Sequence, residues 1–280
     1  MTPPTRGVVA LAALDARKTP DHRAELTTQF LLGEVVRLLR SVDRGAWWQV
    51  EGTADGYRGW VRGWGFVPVA AARARSWEAK ATARVAVPVI EARVGPGSGA
   101  RVSPLVLNSV VIPGRRRGRF RAVELPDARR GWVPLRSLAG EGERPALLDR
   151  VRSLLGIPYH WGGRTPLGFD CSGFVQQVLA EQGVQLPRDT VHQWEATARL
   201  APLESPTAGD LVFFAAARRP AGHVGIGLGG GFYAHCRGVV RISSLDPASP
   251  LCDRELLPQL LGWGRCAARS GRGRRRGPAR

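Results

Sequence analysis

The sequence predicts an α+β protein in which two strand-rich units precede a domain of helices and strands. Glycine and proline are abundant among the 280 residues, and long helical patterns are few. These features favour a β-rich chain. After about residue 143 the pattern changes to helices followed by a run of strands, which is typical of an α+β domain.

The first half of the chain contains an internal repeat. Trp48 lies twelve residues before Trp60, and Phe120 lies twelve residues before Trp132. A Gly-Trp-Val triplet closes each copy, and a short apolar stretch lies upstream of each. Alternating apolar residues between glycine turns predict short antiparallel strands. The repeat therefore predicts two copies of one small barrel.

The G-x-W-x-V…GWV spacing of both copies resembles that of bacterial SH3-like domains. The resemblance implies one SH3-like barrel over residues 1–72 and a second over residues 73–142. The segment SWEAKATARV, near their junction, has helical character and is interpreted as a linker.

The C-terminal domain is predicted over residues 143–267. RPALLDRVRSLLG carries apolar residues at helical spacing, and Gly156 is a suitable stop. A second helix begins near Cys171 and ends at Gly183. The remaining pattern predicts four strands, DLVFFAA, HVGIGLGG, FYAHC and GVVRISSL.

The formal net charge is +18, and arginine supplies nearly all of the positive charge because the only lysines are Lys18 and Lys80. This composition is typical of a GC-rich coding bias, and part of the charge lies in residues 268–280, which are predicted to form a disordered tail. An anionic partner such as a cell-wall polymer is the alternative interpretation. Basic and aromatic residues do not interleave as in nucleic-acid-binding modules, so no nucleic-acid partner is expected.

Four cysteines, at 171, 236, 252 and 266, show neither a CxxC pair nor zinc-site spacing, so free thiols are expected, with a Cys252–Cys266 disulfide left open. No run of 18 apolar residues predicts a membrane span. The apolar stretch GVVALAAL is short and charged residues follow it, unlike a signal peptide. We expect a cytoplasmic monomer, or an extracellular or cell-wall protein if the start site is mis-assigned.

Cys171 lies at a predicted helix N-terminus, with Asp170 or Cys171 itself at the N-cap. Unpaired backbone N–H groups and the positive end of the helix dipole meet there. They lower the pKa of a thiol because they stabilise the thiolate. The position predicts a nucleophile; a small buried cysteine is the alternative.

His223 and His235 are twelve residues apart on adjacent predicted strands joined by a glycine turn. Antiparallel pairing and even spacing predict that both side chains share one face of the sheet. A cysteine, a base and a group that orients the base form a catalytic triad. We expect His223 to accept the Cys171 proton and His235 to orient His223. A zinc site with Cys236 is disfavoured because strand alternation points that thiol to the opposite face.

These residues resemble the NlpC-type cysteine peptidases of peptidoglycan. The matching pieces occur in family order and are PYHWGG, GFDCSGFVQQVL, LPRDT, GDLVFF, HVGIGLGGG and YAHC. The resemblance implies a papain-like α+β fold, no cofactor or metal, and hydrolysis of the γ-D-glutamyl bond to a diamino acid in muropeptides. It also implies that Cys171, His223 and His235 are catalytic. Two departures from the family pattern, before Trp161 and at Gly227, remove no catalytic group.

Two SH3-like domains ahead of the peptidase are similar to the subgroup that cleaves short, free muropeptides with an N-terminal L-alanine. There the first SH3-like domain covers part of the active site, and acidic and hydroxyl groups bind the ammonium. The residues at matching positions are Glu25, Tyr57, Asp170, Ser172, Asp189 and Thr190. Tyr159 is expected to face the cleft, where it binds substrate or helps the oxyanion. An exposed carboxylate at Glu25, and packing roles for Tyr57 and Tyr159, are the alternatives.

The favoured hypothesis is therefore a γ-D-glutamyl-L-diamino acid endopeptidase of muropeptide recycling. A wall-binding protein with a silent catalytic domain is the second hypothesis, and an extracellular hydrolase of intact peptidoglycan is the third.

Overall fold

The computed structural model describes residues 5–140, 145–201, 204–217 and 219–266. The predicted tail and the predicted domain boundary between residues 142 and 143 lie outside these ranges. The described residues form two seven-stranded sheets, one two-stranded sheet and one six-stranded sheet, together with four α-helices. Within these ranges, no helix has the length and apolar character needed to cross a membrane.

The first unit is a seven-stranded antiparallel sheet. Its strands are β1 (Arg6–Val9), β2 (Ala13–Arg17), β3 (Leu26–Leu31), β4 (Val35–Val42), β5 (Trp47–Gly52), β6 (Arg58–Arg62) and β7 (Phe66–Val69). Their order is β3-β2-β6-β5-β4-β1-β7. Alternating side chains such as Leu14, Phe30 and Val50 are buried in the core of this unit, and removal of this apolar surface from water stabilises the sheet.

Helix α1 (Ala71–Lys80) follows β7 and packs between the first and second units. Trp77 is buried there, and its Nε1 donates to the carbonyl oxygen of Gly33 at 2.9 Å. The predicted helical linker is thus present, but it begins five residues before SWEAKATARV and ends at Lys80, because Ala83–Val85 already pairs as a strand. The boundary predicted between residues 72 and 73 lies inside α1.

The second unit has the same topology as the first. Its strands are β8 (Ala83–Val85), β9 (Val89–Gly95), β10 (Ser98–Val106), β11 (Val110–Arg117), β12 (Phe120–Glu124), β13 (Arg130–Pro134) and β14 (Leu138–Ala139). Their order is β10-β9-β13-β12-β11-β8-β14, so each strand takes the place of the strand seven positions earlier. The paired aromatic residues of the repeat, Trp48 with Phe120 and Trp60 with Trp132, lie on equivalent strands, which confirms the predicted internal repeat.

The C-terminal part combines helices with an antiparallel sheet. Its elements are α2 (Leu147–Leu154), β15 (Arg164–Thr165), β16 (Gly168–Phe169), α3 (Cys171–Glu181), α4 (Thr190–Glu195), β17 (Ala198–Arg199), β18 (Leu211–Ala216), β19 (Arg219–Gly229), β20 (Phe232–Arg237), β21 (Val239–Ser244) and β22 (Leu260–Arg265). The large sheet has the order β17-β22-β18-β19-β20-β21. Both predicted helices and all four predicted strands are confirmed, whereas β15, β16, α4, β17 and β22 were not predicted.

Helix α3 is buried on every side along most of its length. The sequence predicts an amphipathic helix, but its polar residues do not face water. Nε2 of Gln176 donates to Asp55 in the first unit at 3.2 Å. The backbone oxygen of Gln177 accepts from Asn108 in the second unit at 2.9 Å. All three parts of the chain therefore fix the helix on which Cys171 lies.

Arg164 is a second connection between the first unit and the C-terminal domain. Its Nη1 donates to the carbonyl oxygen of Gln29 at 2.7 Å, and its Nη2 is paired with Glu34 at 3.1 Å. The guanidinium is buried, and a buried cation is stable only where carboxylates and carbonyls surround it. The position of the first unit over the active-site helix is thus specified by directed polar contacts.

Candidate active site

Helix α3 begins at Cys171, and Asp170 is its N-cap residue. Oδ1 of Asp170 accepts a hydrogen bond from the backbone N–H of Gly173 at 2.7 Å, the contact expected of an N-cap. This confirms the predicted helix start. The thiol is buried, and its Sγ lies 3.7 Å from Oγ1 of Thr190, the first residue of α4.

The environment of Cys171 corrects the expectation of a lowered thiol pKa. Burial raises the pKa of Cys171 to about 11, and the nearby Asp170 charge acts in the same direction. The hydroxyl of Thr190 and the backbone amides of Val224 and Ser172 lower the pKa, but they do not offset burial. The helix N-terminus can be read from the sequence, whereas the covering units that exclude water cannot. The resting thiol is therefore protonated at neutral pH.

The two histidines meet as predicted. Strands β19 and β20 are antiparallel neighbours, with Gly225 opposite His235, so His223 and His235 share one face. Nε2 of His223 lies 2.8 Å from Nδ1 of His235. Burial lowers the pKa of His223 to about 4 and that of His235 to about 2. Both imidazoles are therefore neutral at neutral pH and can accept a proton.

Cys236 points away from the histidine pair. Its Sγ donates to the carbonyl oxygen of Phe169 at 3.2 Å on the other side of the sheet. All four cysteines are free thiols. In the described part of the chain, no three His, Cys, Asp or Glu side chains are grouped so that they could hold a metal ion.

A cavity of about 150 Å³ opens beside the thiol. Besides Cys171 itself, its walls include every residue predicted to contact substrate: Glu25, Tyr57, Tyr159, Asp170, Ser172, Asp189 and Thr190. The structure thus brings together side chains that are up to 165 positions apart in the sequence, from Glu25 to Thr190. Trp161, which the sequence analysis did not select as a site residue, also lines the cavity.

The first unit closes one end of this cavity. Oε1 of Glu25 accepts from Nε1 of Trp161 at 3.0 Å, and its side chain is 42% exposed. The hydroxyl of Tyr57 donates to Oδ1 of Asp189 at 3.3 Å. Burial and the Asp189 charge raise the pKa of Tyr57 to about 12, so the hydroxyl keeps its proton. Two carboxylates and a phenol therefore line this end of the cavity, where Glu25 is also paired with Lys18 at 3.4 Å.

Asp170 differs from these carboxylates because a buried arginine already neutralises it. Nη2 of Arg188 lies 2.5 Å from Oδ2 of Asp170, and Nη1 donates to Oδ1 at 3.1 Å and to Ser172 at 2.9 Å. The backbone N–H of Gly162 donates to Oδ2 at 3.0 Å. Nε of Arg188 reaches Thr28 of the first unit at 2.8 Å. Both carboxylate oxygens are thus occupied.

Sequence reasoning missed Arg188, although LPRDT contains it. A buried arginine requires an anionic partner, since a charge removed from water is stable only when it is paired. The partner itself could not be identified from the sequence, because Asp170 lies 18 positions away.

A thiol at a helix N-terminus, against the backbone of Val224 on the strand that carries His223, and a hydrogen-bonded histidine pair on that antiparallel sheet are the groups that a cysteine peptidase uses. Comparison with protein families agrees with this class. Residues 156–251 match the NlpC/P60 family, and residues 16–63 match the bacterial dipeptidyl-peptidase SH3 domain. The chain thus carries an NlpC/P60 domain and, ahead of it, a bacterial SH3 domain of the dipeptidyl-peptidase type.

Curated relatives match the C-terminal domain. A probable peptidoglycan endopeptidase, LytE, of Bacillus subtilis is 39% identical over 101 residues, which are 36% of this chain and 29% of that protein. The γ-D-glutamyl-L-lysine dipeptidyl-peptidase of the same organism is 38% identical over 105 residues, 37% of this chain and 34% of that protein. The chain therefore spans about a third of the length of these relatives.

Solved structures share the fold over most of the chain. An NlpC/P60 family protein from Bacillus cereus superposes with a TM-score of 0.78, covering 93% of this chain and 98% of that one at 20% identity. An NlpC/P60 endopeptidase from Photobacterium damselae superposes with a TM-score of 0.62 at 13% identity, covering 86% of this chain and 66% of that one. At these identities the likeness extends to the fold alone.

Proposed function

We propose that the protein is a cysteine endopeptidase that hydrolyses the γ-D-glutamyl–diamino acid bond of short muropeptides with a free N-terminal L-alanine. One observation carries this proposal: the first unit closes the Cys171 cavity with Glu25 and Tyr57, next to Asp189. A peptide whose N-terminus lies at this wall can extend from it toward Cys171, whereas a peptide joined to glycan through its N-terminus would have to pass through the wall. The named activity of the B. subtilis dipeptidyl-peptidase supports the same substrate class.

The carboxylates of Glu25 and Asp189 bind the substrate ammonium in this proposal. An ammonium has three donors and loses part of its solvation on entering the cavity, and anionic acceptors compensate for that loss. Asp170 contributes little net charge because Arg188 is paired with it. Asp170 and Ser172 instead shape the wall, and Thr190 lies between this wall and the thiol.

Cys171 is the nucleophile and His223 is the general base. Nε2 of His223 contacts His235, which leaves Nδ1 to take the thiol proton. Because the resting thiol and imidazole are both neutral, the S–H bond breaks as sulfur attacks the γ-glutamyl carbonyl carbon. The electron pair moves to the carbonyl oxygen, where Tyr159, which lines the cavity, can donate a hydrogen bond.

Collapse of this intermediate breaks the C–N bond. The leaving amine of the diamino acid takes the proton from His223, and a thioester remains on Cys171. Water then attacks the thioester, His223 accepts a proton from the water, and that proton returns to the sulfur as L-Ala-D-Glu leaves. His235 orients the base throughout the cycle.

The second unit, whose strands lie between Ala83 and Ala139, is inferred to be an SH3-like barrel because its strand order repeats that of the first unit. It reaches the active-site helix through Asn108. Its role in this proposal is to support that helix.

Cleavage of short free peptides assigns the protein to muropeptide recycling in the cytoplasm.

Incubation of the protein with L-Ala-γ-D-Glu-meso-diaminopimelate, or with the L-lysine analogue, is expected to release L-Ala-D-Glu. Acetylation of the alanine nitrogen removes the charge and is expected to lower kcat/KM about 100-fold, the effect of losing hydrogen bonds to charged groups. Liquid chromatography with mass detection measures both rates. Comparison of the two diamino acids also shows which one is preferred.

Equal rates on free and acetylated peptides would contradict the ammonium site. That result would favour a hydrolase of intact peptidoglycan, an activity that the name of LytE suggests. Binding to insoluble sacculi without any hydrolysis would favour a wall-binding protein with a silent catalytic domain.

The pH dependence of kcat/KM is expected to have two limbs of different origin. His223 must be neutral to accept the thiol proton, so activity falls as pH drops through the His223 pKa of about 4. The substrate ammonium loses its proton at a pKa of about 8, so activity also falls above that pH. The acetylated peptide should lack the alkaline limb. An acid limb near pH 6.5 would contradict a buried, neutral His223.

A further inference from the structure

Two side chains of β21 face the same ring nitrogen of His235. Nε2 of His235 lies 3.0 Å from Oγ of Ser243 and 3.3 Å from Nε of Arg241. In the β20–β21 register, Arg241 is opposite His235 and Ser243 is opposite Tyr233, so alternation puts all four side chains on one face. Arg241 can only donate to the nitrogen, whereas Ser243 can donate or accept.

The proposed reaction requires one tautomer of each histidine. Nδ1 of His223 can take the thiol proton only if the ring carries its own hydrogen on Nε2. The Nε2–H group of His223 then donates a hydrogen bond to Nδ1 of His235, and the two nitrogens are 2.8 Å apart. His235 must in turn carry its hydrogen on Nε2. This hydrogen needs an acceptor, and of the two groups facing Nε2 only the oxygen of Ser243 can accept.

Arg241 favours the opposite arrangement. If the Nε–H of Arg241 donates to Nε2 of His235, the hydrogen of that ring moves to Nδ1. Nε2 of His223 then becomes the acceptor, and Nδ1 of His223 carries the hydrogen. In that state His223 cannot accept a proton from Cys171.

The surroundings of both groups support Ser243 as the acceptor. Ser243 is buried, and its hydroxyl lies within hydrogen-bond reach of Tyr233, to which it can donate its hydrogen. The lone pairs of Ser243 are then free for His235. Arg241 is ion-paired with Asp253, which also holds Arg237, so the Asp253 carboxylate neutralises part of its charge and competes with His235 for its N–H groups.

We propose that Ser243 is a positioning residue that holds His235, and through it His223, in the tautomer that can accept the Cys171 proton, while Arg241 favours the other tautomer. This inference rests on the proposed function, which assigns His223 as the general base. The chain of donors runs from His223 to His235, then to Ser243, and ends at Tyr233.

The kinetic test compares Ser243→Ala with Ser243→Thr, which keeps the hydroxyl. For Ser243→Ala, kcat is expected to fall about 10- to 100-fold with KM unchanged, less than the loss seen when a triad histidine is left in the wrong tautomer. Ser243→Thr should recover most of kcat. Adding Arg241→Met to Ser243→Ala removes the opposing donor and should recover part of it.

Ser244→Ala is the matched control, because Ser244 is equally buried but its hydroxyl accepts from the backbone N–H of Asp246. Its kcat should stay near the wild-type value. Equal losses of kcat in Ser243→Ala and Ser244→Ala, with equal falls in melting temperature, would overturn the proposal by assigning a structural role to both serines.

A spectroscopic test needs no substrate. ¹⁵N chemical shifts of the His235 ring should show the hydrogen on Nε2 in the wild-type protein and on Nδ1 in Ser243→Ala. Wild-type protein with the hydrogen on Nδ1 would overturn the proposal, even if Ser243→Ala failed to fold. Because the shifts are independent of hydrolysis, a protein that cleaves no muropeptide but shows the expected tautomers would contradict only the proposed function.

Discussion

Replacement of Cys171 by alanine is expected to lower the release of L-Ala-D-Glu by about 10⁴-fold or more, because no other group in the cavity can form the thioester. The folded state should tolerate the change, since alanine is smaller than cysteine and the N-cap contact comes from the Asp170 side chain. Single-turnover measurements on the L-Ala-γ-D-Glu-diamino acid peptide give the rate of the chemical step. Circular dichroism verifies the fold of the variant.

His223→Ala is expected to cause a loss of similar size, and the Cys171→Ala/His223→Ala double variant should be no slower than either single variant. Groups that act in one step are not additive, because removal of one makes the other useless. Cys252→Ala is the control, since Cys252 is a free thiol that does not line the cavity. If the Cys171→Ala variant were as active as the Cys252→Ala variant, the Cys171 thiol could not be the nucleophile.

Much of the fold could be predicted because local patterns specify it. The repeated spacing of Trp48 with Trp60 and Phe120 with Trp132 predicts two units of one topology, and the two sheets have the same strand order. The histidine pair was predictable for a similar reason. A tight turn fixes the strand register, so an even spacing puts His223 and His235 on one face.

The parts that could not be predicted depend on contacts between distant segments. The spacing of helix α3 is that of an amphipathic helix, but Gln176 bonds to Asp55 and Gln177 to Asn108, so most of the helix is shielded from water on every side. The same covering explains the raised pKa of Cys171. A helix N-terminus lowers a thiol pKa when water remains nearby, and burial reverses the sign here.

Asp170 illustrates how a correctly located residue can have a different electrostatic role from the one its motif suggests. The sequence places it beside the nucleophile as a cap and as a carboxylate for the ammonium. Its cap role is confirmed, but its negative charge is balanced by Arg188, whose side chain is only 1% exposed. The position of Arg188 between Asp170 and Thr28 also couples the helix start to the first unit.

Replacement of Arg188 by methionine is accordingly expected to lower the free energy of unfolding by about 3 to 5 kcal/mol, the usual cost of breaking a buried ion pair at one partner. Methionine fills much of the same space, so the cost arises from a carboxylate left without its cation. Arg130→Met is the matched control. Arg130 is 78% exposed and paired with Glu124, so its loss should cost less than about 1 kcal/mol.

Urea unfolding followed by tryptophan fluorescence compares the two variants at equal protein concentration. An Arg188→Met midpoint equal to that of Arg130→Met would contradict a stabilising role for the buried pair. Addition of Asp170→Asn to Arg188→Met should restore part of the lost stability, because asparagine can still cap α3 and leaves no unpaired charge. Recovery of stability without recovery of activity would show that the ion pair shapes the cavity as well as the fold, since Arg188 also holds Ser172 at the cavity wall.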